Sequence, residues 1–206
     1  VLPGSDRMYP DTDSAPIPLT VEFIDRLGKN LPPDIADRYA QMKAWGIPED
    51  TWKYLLSKNM VPLIEKICEG HGYTHKFIGS FLGQPFKNIE GKYEVHKNFF
   101  YEKIYELFRY IKEKQLEPGI AKYMMPVIYE FPDMQFSSVL TSIHFKQRDM
   151  TEIVAPIEFL YEKYQANTSE DKSGDDIKWL MGQVHHQAIG NVAMAALRQQ
   201  IETIIK

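Results

Sequence analysis

The sequence predicts an all-α protein: a multi-helical part, then a smaller helical tail, behind an irregular N-terminal leader. Three observations carry this. Apolar residues recur at helical spacing across most of residues 19–206, Gly and Pro punctuate the gaps, and no stretch alternates as a half-buried strand does. Hydrophobic residues make up 44% and charged residues 25% of a chain of 206 residues, which suffices for a sizeable core.

The elements follow in order. "LPGSDRMYPDTDSAPIPL" has prolines at 3, 10, 16 and 18 and no period, so it reads as irregular extended backbone. Thr20 can cap a short helix with Phe23, Ile24 and Leu27 on one face. "PPDIADRYAQMKAWG" gives a second helix, stopped by Gly46. "IPEDTWKYLL" starts a third, with Pro48 in the first turn and acids beside it. Helices are expected at 61–69 and 74–82, and a loop at 83–94. The strongest stripe is Phe100, Ile104, Leu107, Phe108 and Ile111 within 95–115.

"LEPG" at 116–119 is the expected boundary, dividing the chain into 1–18, 19–116 and 117–206. Beyond it helices are expected at 119–130, 136–144 and 150–164. The last opens with Asp149 three residues before Glu152, a capping-box spacing. Pro156 interrupts its stripe of Ile153, Ile157, Leu160, Tyr161 and Tyr164, so a kink or late start is expected. "QANTSEDKSG", 165–174, is a polar loop. Two helices close the chain around Gly190. Ile177, Leu180, Met181, Val184 and Ala188 share one face; Ala193, Ala196, Leu197, Ile201 and Ile204 share another.

Charge and composition exclude several classes. The net charge of -4 offers no global attraction to nucleic acid or anionic lipid. The lone Cys68 fits a reducing compartment, no apolar run approaches the ~18 residues of a membrane span, and the first residues lack an apolar leader core, so a cytoplasmic protein is expected. Neither a G-x-S-x-G elbow nor a phosphate-binding glycine loop occurs. Cys68, His71 and His75 are spaced C-x2-H-x3-H, but a zinc site needs further ligands, and Gly72 weakens a shared helix; no metal is expected. Adjacent His185 and His186 point about 100° apart on a helix and cannot grip one ion. Residues 117–206 hold 8 Lys and Arg against 12 Asp and Glu, so tight autonomous RNA binding is disfavoured.

The leader, with Pro3, Gly4, Arg7, Met8, Tyr9, Pro10, Asp11, Thr12 and Asp13, resembles a signature of the archaeal-type glutamyl-tRNA(Gln) amidotransferase GatE family. "FIDRLGKNLPPDIADRYAQMKAWGIPEDTWKYL" is like that family's helical segment. "KWLMGQVHHQAIGNVAMAALRQQI" is similar to a tail signature shared with YqeY-like proteins.

The resemblance implies a C-terminal region. Arg7, Tyr9, Asp11 and Asp13 would then be the edge of a cradle domain that holds the ATP and glutamyl site. The family converts Glu-tRNA(Gln) to Gln-tRNA(Gln) with ATP, Mg²⁺ and ammonia from an asparaginase-like amidase partner. No cofactor is implied for the matched segment, which by itself should be catalytically silent. The family's tail is implied to contact tRNA, and the matching positions are Leu180, Gly182, Gln183, Val184 and Gly190. The expected RNA-facing residues are Lys178, Gln183, His185, His186, Gly190 and Asn191. His185-His186 and Asn191 replace cations of the pattern, so the expected contact is weak. The rival reading is a helical protein–protein interaction module that has lost RNA binding.

Overall fold

The computed structural model describes residues 18–29, 31–167 and 176–205, and every regular element among them is helical. Arg7, Tyr9, Asp11 and Asp13 lie outside the described residues, as does most of the polar stretch 165–174. Two compact units divide between Arg38 and Tyr39. In the first, α1 (Val21–Lys29) starts as its sequence asks: Thr20 Oγ1 accepts the Phe23 N–H at 3.2 Å. Asp34 Oδ1 accepts the Ala36 N–H at 2.7 Å at the opening of α2 (Ile35–Ala44).

In the second unit, α2 stops at Gly46, whose φ of 68° is left-handed. The Ile47 N–H then donates to the Met42 carbonyl at 3.1 Å and the Gly46 N–H to Lys43 at 3.0 Å, which satisfies the last helical carbonyls. Next come α3 (Glu49–Ser57), α4 (Val61–His71) and α5 (His75–Phe81), then α6 (Lys87–Lys92), α7 (Glu102–Glu113), α8 (Ala121–Glu130) and α9 (Phe136–Ser142). α4 packs on α5 and α7, and α7 on α8. Their shared core buries Leu55, Ile64, Ile78, Leu107, Met125 and Ile128. Phe108 stands at its centre and meets the rings of Tyr73 and Phe81, each with centroids 5.2 Å away.

Two glycines set how closely these helices approach. A Cβ on Gly79 would sit 2.4 Å from Ile47 Cδ1, and one on Gly83 would sit 2.4 Å from Thr51 Cβ. Gly79 and Gly83 are four apart, so together they give α5 and its extension a bare strip against the start of α3.

Two expectations change. The loop expected at 83–94 is helical as far as Lys92. Leu82, Phe86 and Ile89 lie at i, i+4 and i+7, and all are buried; a π-helical turn at Leu82–Phe86 absorbs Pro85. Conversely, the helix expected from 95 begins only at Glu102. Residues 93–101 form an irregular crossing that drives Phe99 into the core and leaves Phe100 out of the α7 stripe, 68% exposed. Packing also continues across 116–119, where Pro118–Ile120 is a 3₁₀ turn and Ile111 and Ile120 share one core. That core takes in Val139 and Phe145, and a second begins at Met150.

The second core holds α10 (Met150–Val154), α11 (Ile157–Asn167), α12 (Asp176–Ala188) and α13 (Met194–Ile204). Asp149 Oδ1 accepts the Glu152 N–H at 2.8 Å, and Pro156 separates α10 from α11, both as the spacing predicts. Ile153, Ile157, Leu180, Val184, Leu197 and Ile201 fill this core. On α13 the expected Ala193 and Ala196 are exposed, because the buried stripe there narrows to Leu197 and Ile201.

The bare strip makes a specific demand. Gly83→Ala should lower unfolding free energy by about 1–3 kcal/mol through overpacking. Gly91→Ala, whose Cβ would meet nothing within 4 Å, serves as the control in the same urea titration. Equal midpoints for the two would show that α3 and α5 can move apart without cost.

A second expectation concerns alkaline pH. The Tyr73 hydroxyl donates to the Phe108 carbonyl at 3.1 Å, and burial, helped by the charge of Glu117, raises its pKa to about 12. The folded pKa exceeds the roughly 10 of an unfolded tyrosine, so this stabilisation is complete below that pH and is lost as pH rises toward 12. Urea unfolding between pH 9 and 11.5 should show falling stability, with a shallower fall in Tyr73→Phe; parallel curves would contradict it.

Candidate functional site

α12 presents two faces of opposite character. Asp176 opens it, its carboxylate accepting the Ile177 N–H at 2.7 Å. Leu180, Val184 and Ala188 recur every four residues and are fully buried. Lys178, Gly182, His185 and His186 occupy the opposite side and are exposed, within about 100° of helical arc. Gln183 is exposed at the edge of this face. A Cβ on Gly182 would meet nothing within 4 Å, so the helix backbone is bare in the middle of it.

Gly190 and Asn191 serve the architecture. Gly190 is buried with φ 76°, and a Cβ there would lie 2.5 Å from Ile120 Cδ1 and 2.8 Å from Phe145 Cε2. Its carbonyl accepts the Glu117 N–H at 2.9 Å. The Asn191 amide is fully engaged. Oδ1 accepts the Arg148 N–H at 3.0 Å, while Nδ2 donates to the Lys146 carbonyl at 2.9 Å and the Gln187 carbonyl at 2.8 Å. Asn191 thus clamps the segment 146–148 to the turn between α12 and α13.

The clamp brings in cations that the linear reading missed. Lys146 is exposed and Arg148 half-buried. Lys122 on α8 lies 5.8 Å from the Tyr123 ring, and the His185 ring meets the same tyrosine edge-on at 6.4 Å. His186 lines a cavity of about 90 Å³ with Ile120, Tyr123, Ile143, Phe145 and Ile189. Among the described residues Lys122, Lys146 and Arg148 form no ion pair. No sequence motif announces these residues, because they come from α8, the 146–148 segment and α12; Asn191 ties the 146–148 backbone to the end of α12, and Tyr123 stands between Lys122 and His185.

Cys68, His71 and His75 face separate neighbours. Among the described residues no three His, Cys, Asp or Glu side chains converge as ligands. His75 stacks on Trp45 with centroids 4.3 Å apart, and His71 packs on Tyr105 at 4.5 Å. Burial raises the Cys68 thiol to about 11, which keeps it protonated and inert. Among the described residues no helix is long and apolar enough to cross a membrane.

The clamp can be tested by itself. Asn191→Ala should cost about 1–3 kcal/mol, since it deletes three hydrogen bonds, two of them partly buried. Hydrogen exchange at the Arg148 amide should accelerate in step. An unchanged Arg148 rate would mean that the 146–148 segment is held by something else.

No protein-family profile matches the chain, and no solved structure matches it. Curated relatives do. The GatE subunit of glutamyl-tRNA(Gln) amidotransferase from Methanocaldococcus jannaschii is 25% identical over 211 residues, which is 98% of this chain and 33% of that protein. The GatE of Methanococcus maripaludis strain C7 is 23% identical over 92% of this chain and 30% of its own length. That of Methanococcus vannielii is 25% identical over 76% of this chain and 25% of its own length. The chain therefore spans a quarter to a third of the curated relatives it matches. Along nearly its whole length, the chain is similar to GatE subunits of glutamyl-tRNA(Gln) amidotransferase, at 23–25% identity.

Proposed function

We propose that the chain is the tRNA-positioning helical region of a glutamyl-tRNA(Gln) amidotransferase subunit. Its exposed α12 face and the clamped 146–148 segment rest on tRNA phosphates. One observation carries the reading: Asn191 holds the backbone of Lys146 and Arg148 at the turn that ends α12, while Tyr123, beside His185, carries Lys122 against its ring. Cations without a protein counter-ion release solution ions when a phosphate replaces them. Gly182 favours close approach of a sugar–phosphate chain, since no side chain stands in the middle of the face.

The relatives' name supplies the reaction class. In the whole protein, Glu-tRNA(Gln) becomes Gln-tRNA(Gln), with ATP and Mg²⁺ serving a cradle domain and an asparaginase-like partner supplying ammonia. Within that scheme this region orients the acceptor and carries no catalytic step. α12 and α13 correspond to the YqeY-like tail.

The second reading, a protein-docking module, draws on the exposed apolar side of α1, formed by Val21, Ile24 and Leu27. A salt titration of labelled tRNA separates the two. Three or four phosphate contacts give log K against log salt a slope of about −2 to −4, and affinity near physiological salt of roughly 10⁻⁴–10⁻⁶ M. The Lys146→Ala, Arg148→Ala double variant should reduce that slope by about 2, and the His185→Ala, His186→Ala double variant should weaken binding more modestly. A flat salt dependence, or variants indistinguishable from the parent, would favour the docking module.

A further inference from the structure

An aromatic cavity stands apart from α12. The irregular crossing 93–101 and α8 enclose an open space of about 350 Å³, lined by Lys58, Glu90, Val95, Phe99, Phe100, Tyr101 and Tyr129. Its back wall is a packed set of aromatic rings. Phe86 meets Tyr101 and Tyr129 edge-on at 5.9 and 6.0 Å, and Phe99 lies 4.7 Å from Tyr129. Phe100, which the helix period assigns to the α7 core, instead stands at the mouth with its ring exposed.

The polar groups are few and fixed. Glu90 Oε2 accepts the Tyr54 hydroxyl at 2.7 Å and lies 3.3 Å from Lys58 Nζ; Oε1 accepts the Tyr101 hydroxyl at 2.9 Å. A carboxylate offers about four lone pairs, so Oε1 retains one. Tyr129 borders the cavity, and its hydroxyl has no hydrogen-bond partner among the described residues, although the oxygen is not sealed from solvent. A hydroxyl at the cavity wall without a protein partner is available to donate to a ligand there.

We infer that this cavity receives a single unstacked nucleobase, its face against Phe100 and its edge toward Glu90 and Tyr129. A base with an exocyclic amine beside a ring acceptor satisfies both groups: the amine donates to Glu90 Oε1, and the ring nitrogen accepts from the Tyr129 hydroxyl. Adenine and cytosine present that edge; uracil does not. The volume suits one base. A second cation fits poorly, because Lys58 already neutralises Glu90 and would repel it. The inference rests on the tRNA reading for the source of the base, while the chemistry of the cavity is independent of the α12 face.

Free nucleosides probe the cavity without the rest of the RNA. Adenosine and cytidine, titrated into isotope-labelled protein, should shift the amides of 98–101 and 129, with uridine weaker. Phe100→Ala should abolish the shifts and Phe100→Trp retain them; Tyr129→Phe, which keeps the ring, should erase the preference over uridine. With intact tRNA, Phe100→Ala should weaken binding by about 5- to 100-fold, the effect of one lost base stack. If Phe100→Ala leaves tRNA affinity unchanged while the Lys146, Arg148 double variant lowers it, the base pocket is wrong and the α12 reading stands. The opposite pattern keeps the pocket and removes the α12 contact. Shifts produced by N-acetyl-lysine amide, with none from nucleosides, would make the cavity a receptor for a protein side chain and overturn the inference.

Discussion

One peptide unit fixes where the α12–α13 hairpin lies against the first core. The Gly190 carbonyl receives the Glu117 N–H, and its α-carbon sits where any side chain would strike Ile120 and Phe145. Ala188, two residues earlier, belongs to the second core, while Ile189 packs on the first. The two cores therefore meet within three residues of chain. A main-chain hydrogen bond with no side chain between the partners leaves little freedom of angle. Its geometry decides which side of α12 is buried and which carries Lys178, His185 and His186.

Glu117 serves this junction twice. Its N–H goes to Gly190, while its carboxylate accepts the Gly119 N–H at 2.8 Å and caps the 3₁₀ turn that carries Ile120. Burial pushes that carboxyl upward, and the Gly119 bond pulls it back. The same economy of small residues operates at Gly79 and Gly83, which let α3 close on α5. The π turn that follows accommodates Pro85 and aims Phe86 at Phe99, Tyr101 and Tyr129. Both candidate sites are thus consequences of backbone approach, one at Gly190 and one just beyond Gly83.

What the sequence discloses is local, and what it withholds is mostly not. The helix starts at Thr20 and Asp149, the stop at Gly46 and the break at Pro156 all rest on interactions spanning a few residues, and all are present. The extension of helix to Lys92 was hidden because Gly83 and Pro85 read as a loop; their meaning depends on Thr51, far away in the chain. Phe100 fits the α7 period yet stands outside it, since Phe99 takes the buried place and the chain cannot be helical through both. Asn191 looks like a substituted cation in the tail pattern, and its three partners lie partly in a segment that no local rule connects to it. The leader motif of Arg7, Tyr9, Asp11 and Asp13 stays outside the described residues.

Charge shows the same limit. Counting along the chain gives residues 117–206 an acidic excess, which argues against phosphate binding. A phosphate, however, responds to charges within about one screening length, roughly 8 Å at physiological salt, and not to a sum over sequence. Glu152 sits on α10 and Glu158 and Glu162 on α11, whereas Lys146 and Arg148, the latter next to Asp149, are held at the α12–α13 turn by Asn191. A chain with net negative charge can present a small positive face in this way. If RNA is bound there, as proposed, the acidic remainder would act against non-specific binding, because RNA laid across the wrong surface meets like charge. Under the reading proposed above, weak contact confined to one face would orient an RNA rather than hold it.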